Sequence, residues 1–243
     1  MPDMFGIKTA IQNHFFYHKK SRFTNDWQIW QLMKYFQADE RGHQANTKNA
    51  DLGYGWIHYG LIRQQKPKNL LCIGSRYGFI PAVMAQACKD NGFGKVDFVD
   101  AGFGDGDENH WTGKAYWKST EGLNCFKNFG LGKHIKIFVQ TTAVFKKENK
   151  KKHYDYIYID GDHSYEGAKF DFKSFWPNLN KNGYMLFHDV SVKGTLPEGE
   201  YGVNKLFEEL SKVNPHISID YNKSGLGILQ KKLKTTQANQ ALP

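Results

Sequence analysis

The sequence predicts a doubly wound α/β fold: a mainly parallel seven-stranded sheet closed by an antiparallel edge strand, preceded by a helical N-terminal extension. Three observations predict it. Short apolar runs alternate with segments of helical spacing, the pattern that lays helices on both faces of parallel strands. An apolar run, a glycine turn and a helical stretch follow one another from Asn69 to about Lys89. Two later strand-like runs end in acidic and imidazole side chains, IDGDH at 159–163 and FHD at 187–189, with a helical segment between them.

Taken in order, residues 1–52 read as the extension, 53–234 as the α/β domain and 235–243 as a flexible polar tail. Within the extension, Trp27–Phe36 has helical spacing, and Trp27, Trp30 or Ile29, Met33 and Phe36 or Tyr35 fall on one stripe. That stripe is expected to pack on the domain or on a second subunit, so a homo-oligomer is a candidate arrangement. Ala38–Leu52 is polar and reads as a mobile connection, and Tyr54–Gln64 as a helix leading into the first strand. Strands are expected near 69–74, 95–100, 135–139, 155–160 and 183–188, then a pair near 216–221 and 226–231 with no full helix between its members. The segment Gly102–Lys118 is long, rich in glycine and carries Trp111, Tyr116 and Trp117, which suits a substrate lid; Asp105-Gly-Asp107 lacks the later acidic ligands of a calcium loop.

The chemistry gathers at one sheet edge. In open α/β sheets ligands bind outside the carboxyl ends of the strands. Gly74-Ser-Arg-Tyr-Gly78 between a strand and a helix allows close approach of a ligand to backbone N–H groups and to the positive helix end. Its G-x-x-x-G spacing is a weak signal alone. Asp100 strengthens it, because an acid at the next strand end is placed to accept hydrogen bonds from ribose hydroxyls. Neighbouring strands that end in IDGDH and FHD bring Asp160, Asp162 and His163 toward His188 and Asp189. Several carboxylate oxygens with an imidazole suit a hard divalent cation that keeps positions open for a substrate oxygen.

The succession of glycine turn, acidic strand end, IDGDHSYEG, W-x-x-L, Asn182-Gly183 and HD resembles the class I S-adenosylmethionine-dependent methyltransferases, whose sheet is Rossmann-like. It is most similar to their metal-dependent O-methyltransferase and cephalosporin-hydroxylase-like branch, and the likeness runs from Asn69 to Lys231. It implies S-adenosylmethionine held by Gly74, Ser75, Gly78, Asp100, Thr141 and Asp160, and a divalent metal, magnesium, held by Asp160, His188 and Asp189. It implies methyl transfer to a hydroxyl of a small-molecule acceptor, a sugar, a glycan or a phenol, with Asp160 and His163 catalytic. A neutral imidazole can take the hydroxyl proton, which makes His163 the candidate base. His163 is equally placed to cap a helix or touch the cofactor, Asp162 suits a helix N-cap, and His188 can orient Asp189 without ligating. The family has Glu or Asp two residues before the first motif glycine, where this chain has Cys72.

Composition bounds the alternatives. The 243 residues, 40% of them hydrophobic, are enough for one α/β core plus an extension. No apolar run reaches the ~20 residues that span a bilayer, and the N-terminus has no signal-peptide apolar core, so no membrane partner is expected. Cys72, Cys88 and Cys125 are too scattered for a disulfide framework or a zinc site, which fits a reduced cytoplasmic protein. The net charge of +9 concentrates at His18–Arg22, Lys146–Lys152 and Lys231–Lys234. These read as solvated faces before they read as attraction to an anionic substrate. A nucleic-acid methyltransferase would draw on that charge but has no N-P-P-[YF]-like motif here. A non-catalytic nucleotide-binding protein on the same fold would have lost the strand-end acids, and these are intact.

Overall fold

The computed structural model describes residues 26–103, 115–196, 199–220 and 224–232. Seven strands form one sheet: β1 (Asn69–Ile73), β2 (Lys95–Asp100), β3 (Ile135–Val139), β4 (Tyr154–Ile159), β5 (Leu179–His188), β8 (His216–Ile219) and β9 (Leu226–Gln230). A short separate hairpin joins β6 (Gly194–Leu196) to β7 (Gly199–Tyr201). The sheet order is β3-β2-β1-β4-β5-β9-β8, parallel from β3 through β5, with β9 antiparallel to both of its neighbours. The order reverses at β1, whose carboxyl end therefore opens a crevice toward β2 on one side and β4 on the other.

Among the described residues seven α-helices cover the two faces: α1 (Asp26–Tyr35), α2 (Tyr54–Gln65), α3 (Phe79–Asn91), α4 (Thr120–Asn128), α5 (Thr142–Glu148), α6 (Tyr165–Phe175) and α7 (Val203–Ser211). Because strand side chains alternate, each strand feeds two cores. Leu70, Cys72, Phe98, Tyr156, Tyr158 and Leu186 pack with α1 to α4, whereas Leu71, Ile73, Val99, Ile157, Ile159 and Phe187 pack with α5 to α7. Both faces of the central strands are buried, which is why they read as unbroken apolar runs.

The extension departs from expectation in two ways. Its buried stripe is Ile29, Leu32, Met33 and Phe36, while Trp27 is 62% and Trp30 37% exposed. These two indoles stack on each other at 5.1 Å. The apolar i, i+3, i+4, i+7 pattern of Ile29 sets the buried face, and the large but polar-edged indoles take the rim. Phe36 stacks on Phe126 of α4 at 5.1 Å, so α1 belongs to the main core.

Residues 38–52, expected to be a mobile connection, are folded. Asn46 caps a single 3₁₀ turn at Thr47–Asn49, and His43, Ala45, Ala50 and Leu52 are buried. The polar side chains that suggested mobility close this segment on itself: Asp39, Glu40, Asn46 and Asp51 each accept from nearby backbone N–H groups.

Of the lid expected at Gly102–Lys118, residues 104–114 lie outside the described residues, as do the tail from 233, the His18–Arg22 cluster and Asp105 to Asp107. At the described C-terminal end of that segment, Trp117 is 1% exposed and sits in the core under the glycine turn. In the basic cluster, Lys152 pairs with buried Asp97 and Lys146 bonds Asn178, at the end of the sheet opposite the predicted site. These two lysines hold the fold.

Candidate active site

The glycine turn is built by close packing. Gly74 has φ +75°, and a Cβ there would collide with the carbonyl group of Asp160 at the end of β4. Gly78 has φ +86°, and a Cβ there would stand 2.8 Å from the Trp117 ring. Only glycine accepts both the left-handed backbone and the contact. Ser75 Oγ accepts from Gly78 N–H at 3.2 Å, and the Trp117 indole N–H donates to the Ser75 carbonyl at 3.0 Å. The turn that starts α3 is therefore braced from below by an aromatic side chain that sequence reasoning had assigned to the lid.

Asp100, at the end of β2, accepts from Ser75 N–H at 3.3 Å and from Gly102 N–H at 2.8 Å. It ties the acidic strand end to the glycine turn. Burial raises its pKa to about 6, against the opposing pull of those two N–H groups. Thr141 is exposed and caps α5, its Oγ1 accepting from Val144 N–H at 3.4 Å. It sits just beyond β3, at the same sheet edge. Cys72, where the family carries an acid, is fully buried, and burial pushes its thiol well above its ordinary pKa.

The ends of β4 and β5 bring the predicted acids and imidazoles together. His188 Nδ1 lies 3.2 Å from Asp160 Oδ1 and 3.2 Å from Asp189 Oδ1. His163 Nε2 lies 3.4 Å from Asp189 Oδ2. Asp189 adopts φ +60°, a left-handed conformation that Asp tolerates better than most side chains and that turns its carboxylate between the two imidazoles. Burial alone would depress the pKa of His188, but the carboxylates of Asp189 and Asp160 outweigh it and raise it well above the ordinary value. Burial alone would raise Asp189, and the His188 imidazole holds it below the usual carboxylate range instead. Asp162 accepts from Ser164 N–H at 2.9 Å, while Ser164 itself caps α6, so Asp162 serves the turn before the helix.

The donor set fits a divalent cation. Ligand atoms of Asp160, His163 and Asp189 lie within 4.8 Å of one another. His188 Nε2 donates to the Gly42 carbonyl at 2.9 Å, which directs Nδ1 at the two carboxylates. A backbone carbonyl on the far nitrogen is the usual partner of a metal-ligating imidazole. Asp160 and Asp189 thus belong to either possible set, with His188 or His163 as the nitrogen ligand.

Five contributing residues were missed in the sequence. Gly42 supplies the carbonyl that receives His188, and Ser224 Oγ donates to the same carbonyl. Tyr201 of β7 stacks on His163 at 4.8 Å, and Gly202 N–H donates to the His163 carbonyl at 2.9 Å. His43 packs edge-on against His188 at 4.7 Å. None of them carries a local motif that points to this site.

Residues 71–190 match the family model described as a methyltransferase domain. An uncharacterised protein of Sinorhizobium fredii is 24% identical over 188 residues, covering 77% of this chain and 20% of that protein. An uncharacterised protein of Acanthamoeba polyphaga mimivirus is 30% identical over 86 residues, covering 34% of this chain and 39% of that protein. The chain therefore matches well under half the length of these curated relatives. The O-methyltransferase from Bacillus cereus in complex with S-adenosylhomocysteine superposes with a TM-score of 0.60 at 12% identity, over 90% of this chain and 96% of that one. The S-adenosylmethionine complex of an O-methyltransferase of tomaymycin synthesis from Streptomyces achromogenes gives 0.58 at 12% identity, over 90% and 94%. A Podospora anserina methyltransferase bound to S-adenosylhomocysteine gives 0.57 at 15% identity, over 93% and 96%. These structures share the fold of this chain.

Proposed function

We propose that this chain is an S-adenosylmethionine-dependent O-methyltransferase, assisted by a divalent cation such as magnesium and acting on a hydroxyl of a small molecule, a sugar, glycan or phenol. The observation that carries this reading is the meeting of Asp160, His163, His188 and Asp189 beside a glycine turn tied to Asp100. Glycine turn and Asp100 suit the nucleoside of the methyl donor; the four strand-end groups suit the acceptor oxygen.

Methyl transfer from a sulfonium forms an O–C bond as the C–S bond breaks, and the acceptor's proton must leave. His163 is the residue to receive it. Asp189 contacts His163 Nε2 at 3.4 Å and Tyr201 stacks on its ring, so the imidazole is held in one orientation. A divalent cation held by Asp160, His188 and Asp189 would lower the acceptor's pKa and position it, with His163 left to take the proton. His188, anchored on Gly42, keeps the two carboxylates in place. Tyr54 and Tyr158, both buried, stand edge-on to His188 at 6.4 and 6.5 Å.

The test is methyl transfer from labelled S-adenosylmethionine to a panel of hydroxylated sugars and phenols, with and without magnesium. Transfer that needs both the cation and Asp189 supports the reading. Binding of S-adenosylmethionine with no transfer to any acceptor, and no effect of magnesium on that binding, would reduce the chain to a nucleotide-binding protein.

A further inference from the structure

A cleft of about 450 Å³ opens between residues 37–43 and the glycine turn, within the ~300–1,000 Å³ of small-ligand sites. Asp39, Glu40, Arg41 and Arg76 line it. Both acids already serve the backbone. Asp39 Oδ1 accepts from the N–H groups of Arg41 and Gly42 at 3.0 and 2.9 Å, and Glu40 Oε1 accepts from Thr47 N–H at 2.7 Å. Among the described residues neither guanidinium has a carboxylate partner. Arg76 lies over the Tyr77 ring at 5.3 Å, which holds it at the cleft without neutralising it. His43 also lines the cleft, 7% exposed, and its Nδ1 has no hydrogen-bond partner among the described residues. A buried polar atom left without a partner costs free energy that a ligand can recover. The His43 ring is 4.7 Å from that of His188, so the cleft adjoins the strand-end site.

We propose that this cleft is an oxyanion subsite, in which Arg41 and Arg76 together hold a carboxylate or phosphate of a bound ligand and His43 Nδ1 meets a polar group behind it. Planar guanidinium forks pair with such groups bidentately and keep their charge at any working pH. The inference rests on the glycine turn as the seat of the methyl donor. The oxyanion has two sources: the α-carboxylate in the amino-acid tail of the donor, or an anionic substituent on the acceptor.

Isothermal titration of the full chain and of its Arg41→Gln/Arg76→Gln variant with three probes separates these. The probes are S-adenosylhomocysteine, 5′-methylthioadenosine, which lacks the amino-acid tail, and inorganic phosphate. Both arginines are exposed, so the variant is expected to keep the wild-type unfolding midpoint. If the donor supplies the oxyanion, the variant binds S-adenosylhomocysteine roughly tenfold or more weakly and methylthioadenosine as well as the wild type does. If the acceptor supplies it, both thionucleosides bind the variant normally, and phosphate binds the wild type saturated with S-adenosylhomocysteine but not the variant. Equal behaviour of the two proteins toward all three probes overturns the subsite, as does an equal loss of both thionucleosides, since the tail then plays no part. Failure of both thionucleosides to bind the wild type removes the donor reading instead. Phosphate titration of the free proteins then decides the cleft: loss in the variant supports it, and no difference overturns it.

Discussion

His188 Nε2 donates to the carbonyl of Gly42 at 2.9 Å across 146 positions of sequence. This contact joins the end of β5 to a segment that the sequence presents as a polar connection. It gives the N-terminal region a role at the site, because the ring nitrogen left facing Asp160 and Asp189 depends on it. Removal of residues 1–45 is therefore expected to harm both the core and the site. It deletes Ile29, Leu32, Met33 and Phe36 from the main core together with Gly42.

The single substitution Phe36→Ala tests that expectation. Truncating a fully buried phenylalanine costs about 3–5 kcal/mol, and at roughly 2–4 °C per kcal/mol for a domain of this size the unfolding midpoint should fall by about 6–20 °C. Thermal unfolding followed by circular dichroism measures it. A midpoint within a degree or two of the wild type would place α1 outside the cooperative core.

Asp100 should govern nucleoside binding in a pH-dependent way. Its carboxylate accepts hydrogen bonds best when ionised, and burial places its pKa at about 6. Affinity for S-adenosylhomocysteine should then rise as pH increases through about 6 and level off above it. Asp100→Ala should lose roughly tenfold or more, equivalent to about 1.5–3 kcal/mol for hydrogen bonds to a charged group, and should flatten that dependence. Unchanged affinity in the variant at pH 8 would remove Asp100 from the binding site.

Trp117→Phe isolates the brace under the glycine turn. It removes the N–H that donates to the Ser75 carbonyl and, with it, the outer ring edge, Cη2 and Cζ2, that stands beside Gly78. The Ser75 carbonyl then loses a buried partner, at about 1–3 kcal/mol. We expect weaker S-adenosylhomocysteine binding together with a lower unfolding midpoint. Calorimetry showing wild-type affinity would mean that the turn holds its shape without the indole.

The fold was legible because both faces of the central strands are buried: runs such as Asn69–Ile73 and Tyr154–Ile159 have no other comfortable environment. Asp160, His163, His188 and Asp189 were legible because each follows such a run at the ligand-binding edge. What stayed hidden was carried by tertiary contact. Gly42 acts through a backbone carbonyl, which has no sequence signature, and Ser224 joins it from the far end of the chain. Trp117 and the indoles of α1 were misplaced for one reason: an aromatic residue reads the same whether it floors a site, fills a core or lies on a rim. The polar segment 38–52 looked mobile because its Asp, Glu and Asn side chains satisfy local backbone donors, and the same composition describes a loop that is tightly closed.

Asp171 supplies a pH-dependent stability that is separate from catalysis. It sits on α6 beneath Gly161, 4% exposed, with Thr142 as hydrogen-bond partner, and burial raises its pKa from 3.8 to about 7. The folded state therefore binds this proton more tightly than the unfolded state. Its contribution to stability is fully present below about pH 4 and is lost as pH rises through about 7. Groups such as Asp189, whose pKa is lowered, act in the opposite sense, so total stability is a sum of both. Asp171→Asn removes only the first component: unfolding midpoints of the variant should decline less than those of the wild type between pH 5 and pH 8. An identical decline in both proteins would show that Asp171 is ionised in the fold at no cost, and that an unseen donor satisfies it.

Asp160→Ala and Asp189→Ala should lose most turnover, on the order of 10²-fold or more, while still binding S-adenosylhomocysteine. Each removes one of the carboxylates that face His188, and neither touches the contacts of Asp100 with Ser75 and Gly102. Asp189→Ala should also release His163, since its Nε2 contact is made with that carboxylate. Thorough chelation of the wild type should mimic both variants, and added magnesium or manganese should restore the wild type alone. His163→Ala should lower the rate by a similar factor without a change in metal requirement if its role is proton acceptance. Full activity after chelation would dismiss the cation and leave a metal-free site, in which the His188 imidazolium balances Asp160 and Asp189 and His163 alone handles the proton.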